Sequence, residues 1–184
     1  MKKVTLFSLI ICFCFAFQTM NAQGRYDINF GVGALPTFAK DKGTTKLLPL
    51  VMNVHYKINP KFSLGVFAGH SVTETNREFI NDGQLTQWKN RFSTFGIRAA
   101  AHTDKLYKWD IYGGMTLSYN FSNIEVIEGN MDILADHMGI KPRSGKFSAS
   151  AFLGSRYEIT KHLGIFGELG FGISILTMGV SCRL

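Results

Sequence analysis

The chain has 184 residues, 46% hydrophobic and 13% aromatic, with 18% charged side chains and a formal charge of +7 at pH 7. The surplus of lysine and arginine carries no aromatic–basic motif, which argues against nucleic-acid binding. Beyond residue 22 no run of about 18 apolar residues occurs, which excludes a transmembrane helix in the rest of the chain.

Met1-Lys2-Lys3 is a short positive segment, residues 4–17 are apolar, and Gln18-Thr-Met-Asn-Ala22 forms a small-residue exit. This order predicts a cleaved signal peptide over residues 1–22, with residues 23–184 as the mature domain. An anchoring helix is the alternative, but the apolar stretch falls short of the ~20 residues needed to span a bilayer. A lipoprotein site at Cys12 or Cys14 is disfavoured because both lie inside the apolar stretch. Losing Lys2 and Lys3 lowers the charge to +5 and leaves Cys182 as the one cysteine. An internal disulfide is then impossible.

The mature region reads as eight short segments in which apolar and polar or small residues alternate. They cover residues 25–35, 48–58, 62–72, 93–101, 109–121, 147–159, 163–171 and 175–184. In the last, Leu176, Met178, Val180, Cys182 and Leu184 share one side, against Thr177, Gly179, Ser181 and Arg183. Period 2 over about ten residues suits a wall between lipid and water. Connections two, four and six are short (59–61, 103–108 and 160–162), whereas one, three and five are long (36–46, 73–91 and 122–146). The seventh, around residues 172–174, is short, which sets the last hairpin low at the outer rim. This alternation predicts an eight-stranded antiparallel up-and-down transmembrane β-barrel with short periplasmic turns and longer extracellular loops. A soluble sandwich also has alternating strands but no such asymmetry.

Aromatic residues fall at both ends of the apolar side. Tyr26, Tyr56, Phe62, Trp109 and Tyr157 form one girdle; Phe95, Tyr119, Phe121, Phe147 and Phe171 form the other. Glycines such as Gly31, Gly96, Gly114, Gly154 and Gly179 favour the inner face, where Phe67, Tyr112, Phe152 and Phe166 must fit across a narrow lumen.

The run Tyr157-Glu-Ile-Thr-Lys-His-Leu-Gly-Ile-Phe-Gly-Glu-Leu-Gly-Phe-Gly172 and the ending Gly179-Val-Ser-Cys-Arg-Leu184 resemble small outer-membrane barrel-domain proteins of Gram-negative bacteria. These are single-domain relatives of the outer-membrane protein A and X type barrels. The resemblance implies an outer-membrane location, contact with outer-membrane lipid and lipopolysaccharide, and recognition of the terminal strand by the assembly machinery. Such endings usually finish in an aromatic residue with Tyr two before it; Leu184 and Cys182 stand there. The family implies no single activity.

By parity the interior receives Asp27, His55, Lys57, Arg98, His102, Asp110, Arg156, Glu158, Glu168 and Arg183. Arg98 and Glu168 lie furthest from the strand ends, so a lumen-spanning contact is expected there, with Arg156 joining it. A plug of paired charges is preferred to a gated pore, because eight strands leave little room for water. Lipid A deacylases resemble this architecture and place His two residues before Ser. Here His70 and Ser71 are adjacent, and His55, His102 and His162 sit low, so no enzymatic activity and no catalytic residue is assigned.

In the third long loop, Asn130 is placed to cap a short helix ending at Gly139, with Asp132, Asp136 and His137 on its polar side. Too few ligands are visible there for a metal site, and no cofactor is implied. Lys40, Lys42 and Lys46 form a candidate anion-contacting loop, opposed by Asp41 alone. A structural or interaction barrel, meeting envelope lipid or a surface protein partner through its loops, is the leading function class. A narrow porin-like channel for small or apolar solutes is the alternative, and an outer-leaflet lipid-modifying enzyme a distant one.

Overall fold

The computed structural model describes residues 25–35, 37, 43–79, 85–103, 106–129 and 141–184. The predicted signal peptide, Lys40, Lys42 and the loop helix at 130–139 lie outside them. Among the described residues nine strands form in chain order: β1 (Tyr26–Gly33), β2 (Gly43–Asn59), β3 (Phe62–Thr75), β4 (Glu78–Phe79), β5 (Leu85–His102), β6 (Trp109–Glu128), β7 (Arg143–Glu158), β8 (Leu163–Gly170) and β9 (Leu176–Arg183). All but β4 build the barrel wall. Each pairs antiparallel with its chain neighbours, β3 pairs β5 directly, and β1 pairs β9 from Asp27↔Arg183 to Gly33↔Thr177. That last pairing closes the ring; residues 43–49 of β2 and 143–150 of β7, which extend beyond the ends of β1 and β8, pair on one side only.

Period 2 in the sequence becomes two faces in space. Along β8 the residues Gly164, Phe166 and Glu168 are buried while Leu163, Ile165 and Leu169 are exposed. On the outer face Ile97 is 62% exposed, Leu117 56% and Val66 57%, an arrangement that only lipid can stabilise over so wide a surface. Both girdles form as expected. At one end Tyr26 packs on Tyr56 with ring centroids 5.2 Å apart, and Trp109 on Tyr157 at 5.0 Å. At the other, Tyr119 contacts Phe147 at 4.7 Å and Phe121 at 4.6 Å.

The short turns are fixed by local side-chain acceptors. Asn59 Oδ1 accepts the backbone N–H groups of Lys61 and Phe62 at 2.9 and 2.8 Å. Thr160 Oγ1 does the same for Leu163 at 3.0 Å. Each turn thereby satisfies amides that the ladder leaves open.

The strand lengths depart from expectation. β5 and β6 run 18 and 20 residues, so most of the loop predicted at 73–91 and the start of that at 122–146 is strand. Pairing persists above the lipid because polar outward residues partner across it, as Arg91 does with Glu125 at 2.9 Å and Gln87 with Glu74 at 2.9 Å. By contrast β1, β8 and β9 have eight residues each, so the wall is high on one side and low on the other.

Replacing Ile97 or Leu117 by Arg is expected to destabilise the barrel by about 2–4 kcal/mol, the midplane cost for a cation facing lipid. Unfolding of protein refolded into vesicles measures it. Losses well under 1 kcal/mol at both positions would contradict the assignment of faces.

Candidate functional site

The inward face holds two layers of charge, stacked along the barrel axis. In the first, Arg98 from β5 reaches Glu168 on β8, with Nη2–Oε2 at 2.9 Å and Nη1–Oε1 at 3.4 Å. Arg98 Nε donates to Thr116 Oγ1 at 3.1 Å, and the Tyr112 hydroxyl donates to Glu168 Oε1 at 2.8 Å. The guanidinium also lies 3.6 Å from the centroid of the Phe152 ring. The pair is 3% and 7% exposed, so both charges are largely withdrawn from bulk solvent and each is the other's main counter-charge. Glycine makes the room: a Cβ on Gly154 would stand 2.7 Å from the Tyr112 ring, and one on Gly31 2.8 Å from Phe166.

Arg156 does not join this pair. Register sets Glu168 against Gly154 and Phe166 against Arg156, one side-chain row nearer the periplasmic turns. There Arg156 Nη1 meets Asp27 Oδ1 at 2.6 Å. Asp27 also accepts from Arg183 Nε at 2.7 Å, and Lys57 Nζ lies 3.4 Å from Asp27 and 3.3 Å from Asp110. Arg183 further contacts Asp110 at 3.4 Å and donates to Glu158. Arg98, Arg156, Arg183 and Lys57 thus offset Glu168, Asp27, Asp110 and Glu158 among the described residues.

Sequence parity placed His102, Asp110 and His55 in the lumen but missed how three groups align. His102 Nδ1 lies 3.0 Å from Asp110 Oδ1, and its Nε2 lies 2.9 Å from Ser63 Oγ. The carboxylate favours the Nδ1–H tautomer, which leaves Nε2 to accept the serine hydroxyl. This is the acid–histidine–serine order of hydrolases. Ser63, however, is 1% exposed, and the adjoining cavity, lined by His55, His102, Asp110 and Tyr112, holds about 10 Å³. An acyl group has no space to reach the hydroxyl. The three come from the periplasmic ends of β3, β5 and β6, and their alignment depends on inter-strand stagger that no local motif reveals.

Above Arg98 a cavity of about 40 Å³, lined by Thr94, Ser118, Glu168 and Thr177, offers space for one to three waters. Ile173, in the short β8–β9 connection, folds over it and is 3% exposed. The Ser174 hydroxyl lies 2.8 Å from the Leu35 carbonyl oxygen and 2.7 Å from that of Leu176, with its one proton shared between these acceptors, which pins that connection to the mouth. Of the predicted anion-contacting lysines, Lys46 is described; it stands within β2 rather than in a loop, 3.6 Å from Glu74 Oε1.

The chain is similar to the crystal structure of Neisserial surface protein A at 14% identity and a TM-score of 0.53, covering 90% of this chain and 100% of that one. It is also similar to a de novo designed transmembrane β-barrel at 13% identity and a TM-score of 0.52, covering 88% of this chain and 96% of that one. The attachment invasion locus protein of Yersinia pestis matches at 8% identity and a TM-score of 0.46, over 86% and 95% of the two chains. No protein-family model and no curated protein matches. At these identities the likeness concerns the fold. The chain is an eight-stranded antiparallel up-and-down β-barrel of the small outer-membrane type.

Arg98→Ala and Glu168→Ala are each expected to cost on the order of 3–5 kcal/mol, because each strands a buried charge. The double variant should cost clearly less than the sum. Additive losses in a denaturation cycle would mean that the two charges are solvated independently.

Proposed function

We propose that the chain is exported through a signal peptide over residues 1–22. It then lodges in the outer membrane as a closed barrel, a structural or interaction module working through its wall and extracellular rim. The observation that carries this reading is the lumen, filled by charge layers of balanced sign with cavities of about 40 and 10 Å³. A barrel so filled offers no passage to a hydrated solute, and its accessible chemistry is on the outside. The closed ring, exposed apolar wall and paired girdles support the membrane location. The partners that fit are outer-membrane lipid and lipopolysaccharide along the wall, the assembly machinery at β9, and an envelope or surface protein at the rim. The burial of Ser63 supports a non-enzymatic role.

Planar-bilayer recordings test the closed lumen: the refolded protein should stay silent. Steady single-channel steps that change in Arg98→Ala would put the narrow channel ahead. In a parallel assay, a fluorophosphonate probe should leave the folded protein unlabelled. Labelling abolished by Ser63→Ala would instead make the His102–Asp110–Ser63 alignment an active site.

A further inference from the structure

The tall side of the wall carries a groove that none of the lumen chemistry explains. On the outer faces of β5, β6 and β7, register places Ile97, Leu117 and Ala149 in one row, and Phe95, Tyr119 and Phe147 in the next row outward. These six side chains bound an open apolar groove of about 560 Å³. Its floor is low because Ala149 is small and because Tyr119 leans away from it. The lean is permitted by Gly145, where a Cβ would stand 2.1 Å from the Tyr119 hydroxyl.

Two rows further out the chemistry changes sign. Arg91, Asn123 and Arg143 are register neighbours across the same three strands. The two arginine side chains therefore leave the backbone about 10 Å apart on either side of Asn123, within reach of one shared anion. Arg91 is 49% exposed and shares one face with Glu125, 56% exposed; a pair so wet holds its arginine weakly and leaves other N–H groups free. From Leu117 to Asn123 the strand rises about 20 Å, the scale of an extended fatty acyl chain. Tyr119 directs its hydroxyl upward over Gly145, one row below Arg143, where it can serve as a further donor.

An apolar groove, an aromatic collar and a cationic rim follow one another along the barrel axis. We propose that the β5–β6–β7 face is a binding site for one phosphate-bearing membrane lipid. Its acyl chain lies against Ile97, Leu117 and Ala149, and its phosphate is held between Arg91 and Arg143. The proposal rests on the outer-membrane reading and names a ligand class and a site for it. Charge complementarity selects the occupant, since an uncharged lipid would fill the groove and leave both arginines unused.

Native mass spectrometry of the detergent-extracted full protein tests it, with lipid A and dephosphorylated lipid A as probes. Wild type should retain one lipid A, preferred over the dephosphorylated form by roughly thirtyfold, as two basic contacts at a membrane surface provide. Arg91→Gln combined with Arg143→Gln should erase that preference. Ala149→Phe should lower retention of both lipids by filling the groove, while Ile165→Phe on β8 should change nothing. All variants should keep the gel shift between unboiled and boiled protein. Equal retention of the two lipids by a gel-shifted wild type, or retention unaltered by the double and Ala149 substitutions, would overturn the site alone. A wild type without the shift would overturn the barrel reading beneath it.

Discussion

Inside a bilayer every backbone N–H and C=O must find a partner within the protein, because no water is there to supply one. This chain meets that demand by joining its first wall strand to its last. The β1–β9 ladder runs from Asp27↔Arg183 to Gly33↔Thr177, and the Tyr26 and Leu184 backbones exchange hydrogen bonds at 3.0 and 2.9 Å just beyond it. Once the ring is closed, side chains on its two faces inhabit different solvents. The outer set faces lipid and is largely apolar; the inner set is largely buried, around cavities of about 40 and 10 Å³.

The composition of that inner set follows from the same constraint. A wholly apolar interior would turn each strand into a continuous apolar run, which during export would compete to insert as a helix. Alternation with polar residues avoids this but leaves charges to be neutralised after closure. Desolvating a guanidinium and a carboxylate costs several kcal/mol per ion, so geometry decides whether the pair is tolerable. Arg98 and Glu168 meet through two N–H···O contacts while Thr116 and Tyr112 occupy further polar groups. Below them Asp27 is shared between Arg156, Arg183 and Lys57, so the periplasmic end is knit together by strands β1, β2, β7 and β9.

The faces of all eight wall strands, both girdles and the short turns were legible from residue pattern, because period 2 is a local property. Strand ends were less so. Arg91, Gln87 and Glu125 look like loop residues in one dimension, yet they pair across strands above the lipid. Arg156 is buried against Asp27, one row below the Arg98–Glu168 layer rather than within it. Parity tells which side of the wall a residue faces; only the stagger between strands fixes its height. The same gap hid the His102–Asp110–Ser63 alignment and the Arg91–Asn123–Arg143 row, each assembled from three different strands.

A lumen closed to water on both sides of the Arg98–Glu168 layer would protect thiols placed in it from charged reagents. Cysteine accessibility measures this most directly, in a chain whose native cysteines are replaced by serine. Ser118→Cys reports the outer half of the lumen and Ser181→Cys the periplasmic half, from positions that are 7% and 1% exposed. Both should resist a charged methanethiosulfonate reagent in the folded, vesicle-embedded barrel and react fully once the protein is unfolded. Rapid modification of both in the folded state would show a water-filled lumen and contradict the account.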